Sequence, residues 1–144
     1  MKVNLFTQTR LAPKFTKESI ASLLKTIVRV EQRKADIINV VLVDDDYLLE
    51  VNRKYLNHNY KTDVIAFDLN DGGTIDGEIY VSVDRAKVQA KRYRVNLYQE
   101  VLRLIIHGTL HLAGWEDTTR AEKLKMRKRE NEYIERFYRR RRRR

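Results

Sequence analysis

LYQEVLRLIIHGTLHL (97–112), followed by AGWED (113–117), is the stretch whose reading decides the fold. Leu97, Val101, Leu102, Leu104, Ile105, Ile106, Leu110 and Leu112 lie around most of a helix's circumference. A surface helix shows an apolar stripe on one side only, so this one reads as the buried central helix of its domain. Asn96 suits the N-cap, and Gln99 three residues later completes a box-like pair. Into this apolar cylinder the chain inserts His107 and His111. Four residues apart, they leave the same helix face about 6 Å apart along the axis.

Two imidazoles so placed can grip one metal ion. Gly114 follows three residues after His111, where a left-handed glycine ends a helix and turns the chain back. The turn brings Asp117 toward the same ion as a third ligand. The pattern H-x3-H-x2-G-x2-D is far more specific than a lone pair of histidines, and two of the chain's three histidines belong to it. The bland alternative is two core histidines that happen to sit four apart. Three protein ligands leave a position open for water, as in catalytic sites, and zinc is the expected ion, with another divalent metal as the alternative. Peptidases of the H-E-x-x-H type carry a glutamate base directly after the first histidine. Here that position is Gly108, which disfavours peptide hydrolysis and leaves metal-assisted hydrolysis of another bond open.

Working outward, residues 2–7 read as a short strand. Thr16 caps a helix through Ile20, Leu23, Leu24, Ile27 and Val30. The β-branched run 36–44 reads as a buried strand. Asp45 or Asp46 then caps a short helix through Leu49 and Val51. Residues 62–69 and 77–83 form a hairpin about the Asp71-Gly72-Gly73 turn. Asp84 caps a helix through Ala86, Val88 and Ala90. A last helix, about 118–138, carries a sparse apolar side of Ala121, Leu124, Ile134 and Phe137. The expected fold class is α+β: a single domain with a mixed sheet of about four strands and about five helices. A crossover from strand 36–44 through a helix to strand 62–69 makes that pair parallel.

Composition bounds the rest. At 144 residues the chain is one domain, expected over 1–138, with a polyarginine tail at 139–144. The tail holds six of the ten net positive charges, so the domain itself carries only +4. Such a run reads either as sequence-blind phosphate affinity or as a solvated end. No cysteine is present, which fits a reducing compartment. Neither a signal peptide nor a membrane span is expected, so the reading is a soluble, cytoplasmic protein. His58, in a polar loop, reads as solvated. Of the aromatic residues, Tyr98 suits packing, while Tyr93 and Trp115 are candidates for stacking on bases, Trp115 being the better of the two.

Four segments together resemble the YbeY family. HGTLHLAGWE (107–116) is similar to its H-G-x-L-H-L-x-G-[YW]-[DE]-H segment, TDVIAFDL (62–69) to its T-[DN]-V-L-S-F strand, and DGEIYVSVDRAKVQA (76–90) to its G-D-I-x-I-S stretch and following helix. LVDDDYLLEVN (42–52) resembles its strand-to-helix segment. The resemblance implies a metal-dependent, single-strand-specific endoribonuclease of the bacterial cytoplasm. It would act in 16S ribosomal RNA 3′-end maturation and ribosome quality control, with RNA and the small ribosomal subunit as partners. The alternative is a non-enzymatic assembly factor that binds RNA or the ribosome and carries a structural metal.

Two positions depart from the family pattern. Its third metal ligand is histidine, where this chain has Asp117; a carboxylate is also a legitimate zinc ligand. Its arginine in an L-N-x-x-Y-R segment, thought to engage the RNA phosphate, is replaced by Leu56 in VNRKYL. Arg53 and Lys61 lie close by in sequence and are the expected catalytic stand-ins for that charge.

Overall fold

The computed structural model describes residues 1–58, 62–70 and 72–142. Among these, the elements in chain order are β1 (Lys2–Thr7), α1 (Lys17–Val30), β2 (Lys34–Val43), α2 (Asp45–Leu56), β3 (Val64–Asp68), β4 (Thr74–Ser82), α3 (Val83–Tyr93), α4 (Leu97–Leu112) and α5 (Arg120–Arg142). They form the expected α+β domain.

The four strands lie in the order β1-β2-β4-β3. β2 is parallel to β1 and to β4, and β3 is antiparallel to β4. The hairpin is therefore present, but β2 does not pair with β3. β4 returns from the hairpin and slots between them, which places β3 at the edge running against β2. An α2 crossover alone does not decide which hairpin strand becomes the inner neighbour. β4 is longer, and its Ile75, Ile79 and Val81 are fully buried, which suits the central position.

Alternation along the strands sorts the sheet's two faces. Ile38, Val40, Leu42, Ile79 and Val81 join the main core with α1, α4 and α5. Val43 and Ile65 form a smaller cluster with Leu48 and Val51 of α2, against which Val41, Phe67 and Tyr80 pack. α4 is the central helix: eleven of its sixteen residues are buried.

Caps set the helix starts. Thr16 accepts from the Ser19 N–H and Asn96 from the Gln99 N–H, as the sequence predicts. The other two starts differ. Asp44, not Asp45 or Asp46, caps α2 by accepting from Tyr47 N–H at 2.8 Å. Ser82, not Asp84, caps α3 by accepting from Arg85 N–H. In both cases the strand runs straight into the helix, so the cap falls on the last extended residue. Asp84 instead accepts from the Asp45 N–H, tying the two helix starts together.

α5 begins with reciprocal bonds between Thr119 and Glu122 and runs to Arg142, taking in Arg139–Arg142 of the run that the sequence separates as a tail. Its buried line is Met126, Glu130, Tyr133 and Phe137, with Ile134 beside it. Leu124 and, on α3, Val88 face solvent instead. Among the described residues no helix is long and apolar enough to cross a membrane.

Candidate metal centre and its cleft

The site is built on one face of α4. Glu100, Arg103, His107 and His111 follow one another at spacings of three, four and four, so they form a single polar stripe on an otherwise apolar helix. Gly108, about 100° round the helix from His107, is pressed to the sheet: a Cβ there would lie 2.7 Å from Ile79 Cγ2. The position that carries a glutamate base in peptidases of this spacing thus has no room for any side chain.

The helix ends as its glycine requires. Gly114 has φ +104°. The Trp115 N–H donates to Leu110 C=O at 2.9 Å and the Gly114 N–H to His111 C=O at 3.0 Å, the paired bonds of a Schellman end. This turn does two things. It returns Asp117 over the histidines, and it points the Trp115 carbonyl at His111.

His107 Nε2 and His111 Nε2 are 3.0 Å apart. Asp117 Oδ2 lies 3.2 Å from the first and Oδ1 lies 3.4 Å from the second. A tetrahedral ion with ligands about 2.0–2.2 Å away separates those ligands by about 3.3–3.6 Å. The histidine nitrogens and the carboxylate are thus close to the spacing of such a shell, and one ligand atom from each of the three residues lies within 4.8 Å of the others, a group that can hold a metal ion.

The rear nitrogens strengthen the fit. Glu130 Oε2 accepts from His107 Nδ1–H at 2.7 Å, and the Trp115 carbonyl accepts from His111 Nδ1–H at 2.9 Å. Both partners are pure acceptors, so in the neutral rings the proton sits on Nδ1 and the Nε2 lone pairs face each other. Two lone pairs at that distance repel unless a cation lies between them. Burial pulls the His107 pKa down, but the hydrogen bond and charge of Glu130 outweigh it and raise the value overall.

Glu130 was not among the residues that the sequence singles out, yet its side chain is only 5 % exposed. It also accepts from Arg103 Nη1 at 3.0 Å, and Arg103 Nη2 donates to Asn131 Oδ1 at 2.7 Å. The one available signal was a glutamate standing on the apolar line of α5. Arg103 and Glu100 carried a similar signal on α4, hidden because the helix reads as apolar all round.

Trp115 proves to be structural. Its Nε1 donates to Glu31 Oε1 at 2.9 Å, and the Arg129 guanidinium lies over its ring. Glu31, at the end of α1, also accepts from Arg129 and from Tyr133 OH. Its burial favours the neutral acid, but these donors win and hold the carboxyl below its usual range. Glu31 thus bolts α1, the ligand loop and α5 together. Tyr98 packs, as expected, stacking on Phe15 with ring centroids 4.2 Å apart.

Beside the histidines opens a cleft of about 460 Å³. Its walls are Asp63, Gln89 and Tyr93 on one side and Asp117, Lys123, Arg127 and Glu130 on the other, with Glu100, Arg103 and His107 between. Arg53 is not brought to this cleft: it is exposed on α2 and pairs with Glu50 at 3.0 Å. Leu56 sits at the end of the same helix, partly exposed. Lys61 lies outside the described residues.

The fold and site define the class: a single α+β domain whose central helix and following turn present a three-ligand metal-type centre at a cleft. The chain belongs to the endoribonuclease YbeY family, whose sequence profile matches residues 4–138. It is 39 % identical over 115 residues to the endoribonuclease YbeY of Flavobacterium psychrophilum, covering 80 % of this chain and 82 % of the relative. To that of Parabacteroides distasonis it is 32 % identical over 131 residues, covering 91 % and 92 %. The solution structure of TM1509 from Thermotoga maritima superposes with a TM-score of 0.66 at 26 % identity, over 94 % of this chain and 89 % of that one.

Proposed function

We propose that this chain is a metal-dependent endoribonuclease that cuts single-stranded RNA in ribosomal RNA processing, at the 3′ end of 16S RNA on the small subunit, in the cytoplasm. The observation that carries the reading is the convergence of His107 Nε2, His111 Nε2 and the Asp117 carboxylate, one oxygen of which lies 3.2 Å from the first nitrogen and the other 3.4 Å from the second, with both rear nitrogens occupied. Zinc is the proposed ion, since two imidazoles and one carboxylate form a familiar zinc set.

When bound, such an ion supplies the charge that polarises a phosphodiester and makes a water acidic enough to lose its proton near neutral pH. The protein's own groups do the rest. Glu130 and the Trp115 carbonyl hold the two imidazoles in the tautomer that presents Nε2. Asp117 adds the negative charge that keeps a cation at the cleft. Gly108 offers no proton acceptor. Lys61 stays in the proposal as a phosphate contact on the strength of its sequence position alone, whereas the pairing of Arg53 with Glu50 leaves that residue a weaker candidate.

Metal-loaded protein and Asp117→Ala should be assayed side by side on defined single-stranded and structured RNA, with metal content measured. The expected result is about one ion per wild-type chain and cleavage confined to single strands, both lost in the variant. Metal-loaded wild type that binds RNA without cutting it would overturn the nuclease reading and leave that of an assembly factor. Undiminished metal in a His107→Ala/His111→Ala double variant would overturn the site.

A further inference from the structure

We propose that the rim of the cleft formed by Tyr93, Lys123 and Arg127 is the subsite that holds the RNA strand next to the metal centre. The two cations would contact phosphates and the tyrosine would stack on an unpaired base. The proposal rests on the ribonuclease reading and adds to it the groups that hold the strand at the cleft.

Position comes first. Lys123 and Arg127 are four residues apart on α5, so both point from one face, about 6 Å apart along the axis. Both line the cleft that holds His107 and Asp117. Both are exposed. Among the described residues neither makes an ion pair or side-chain hydrogen bond, in contrast to Arg103 and Arg129, which are committed to carboxylates.

None of the cleft's carboxylates forms an ion pair with either cation. Glu130 is occupied by Arg103 and His107, and Asp63 by Gln89 Nε2 at 3.0 Å. Asp117 faces the histidines. Glu100 is 1 % exposed and lies 3.9 Å from Arg103; burial raises its carboxyl, and the charges of Arg103 and Arg127 oppose that rise.

Tyr93 supplies the other half of a single-strand site. It is the last residue of α3, across the cleft, and is 48 % exposed although aromatic. The Arg127 guanidinium lies 4.9 Å from its ring centroid. A cation resting on an exposed aromatic ring is the pairing that single-strand binders use, the ring for the base and the charge for its phosphate. A base held in a duplex has no free face to offer, so the subsite selects unpaired RNA.

The test uses zinc-loaded full-length protein and a labelled phosphorothioate oligouridine, cleaved slowly enough for equilibrium binding, over a range of salt. Lys123→Ala/Arg127→Ala should weaken binding at low salt and flatten the log–log salt slope by about 1.4, the value for two lost single-strand contacts. Tyr93→Ala should weaken binding about tenfold with the slope unchanged. Arg127→Ala alone is compared with Lys128→Ala, the same single charge change on the same helix but outside the cleft, as the control for generic attraction. Metal content and thermal midpoint should match wild type in all of them, because every substituted side chain is exposed.

Equal effects of Lys128→Ala and Arg127→Ala would overturn the subsite, as would unchanged affinity in Tyr93→Ala. If wild type cuts RNA and the cleft variants bind as it does, only this proposal falls. If metal-loaded wild type neither binds nor cuts RNA, the reading of the preceding section falls and takes this one with it.

Discussion

Replacing Glu130 by glutamine changes one atom and tests the whole geometry of the centre. The carboxylate accepts two hydrogen bonds, from His107 Nδ1–H at 2.7 Å and from Arg103 Nη1 at 3.0 Å. An amide has one oxygen and one NH₂, so it can satisfy only one of them as an acceptor. If its oxygen keeps Arg103, the NH₂ faces His107 Nδ1. The imidazole then does best with its proton on Nε2, the atom that faces His111 and Asp117. If the oxygen keeps His107, the NH₂ meets a guanidinium that is 9 % exposed.

Loss of an outer partner of a metal-bound histidine weakens metal binding about 10–100-fold, or about 1.4–2.7 kcal/mol. The expected Kd shift in Glu130→Gln is of that size. Competition of the protein with a chromophoric chelator for zinc measures it. Metal-free stability falls separately, by about 1–3 kcal/mol for the buried polar group left unsatisfied. Arg103 retains its bond to Asn131, so the loss stays below the 3–5 kcal/mol seen when a buried ion pair loses one partner outright. Wild-type metal affinity in a folded Glu130→Gln protein would refute the positioning argument, whatever happened to its stability.

Three further outcomes are expected. Gly108→Ala sets a helix-propensity gain of about 1 kcal/mol against overpacking on the stiff, β-branched Ile79, which costs about 1–3 kcal/mol. A loss of up to about 2 kcal/mol in denaturant unfolding is predicted, relieved in a background of Ile79→Ala; wild-type stability would show that the sheet yields freely. In metal-free protein, Glu130 raises the His107 pKa, so this pair adds stability below the unfolded histidine pKa of about 6.5, and the contribution is lost as pH rises through the higher folded value. Unfolding midpoints of wild type and His107→Gln across that range check it, and parallel pH profiles would refute it. Removing Arg139–Arg144 should weaken RNA binding at low salt and leave metal content unchanged; the stability cost should stay near 1 kcal/mol or less, since it deletes the exposed bond and ring contact of Arg141 with Tyr98. Unchanged low-salt affinity would show that the run has no part in binding.

Much of this protein could be read from local pattern. Helix α4, its Asn96 cap, the Gly114 turn and the convergence of His107, His111 and Asp117 all follow from spacings of three and four residues and from one glycine. Those are properties of a single helix and its end, so the order of residues contains them. The hairpin is legible for the same reason, since a turn and two alternating strands lie together in sequence.

What tertiary structure alone decided involves elements distant in the chain. Which hairpin strand sits next to β2 depends on which one buries its apolar faces better, a comparison made only in the assembled sheet. The helix starts at Asp44 and Ser82 shift by one or two residues because the strands run on until the helices begin. Glu130 reads as one more charge on a highly charged helix until α5 docks on α4 and the glutamate finds His107 and Arg103 waiting, 23 and 27 residues away. Trp115 looks like a free ring beside a metal loop until Glu31, 84 residues earlier, claims its N–H. The sequence by itself determined that His107, His111 and Asp117 converge, because they share one helix and the turn that ends it. Only the fold decided what stands behind those ligands and lines their cleft, because those groups come from helices that meet by packing, and side-chain packing leaves no periodic mark in the order of residues.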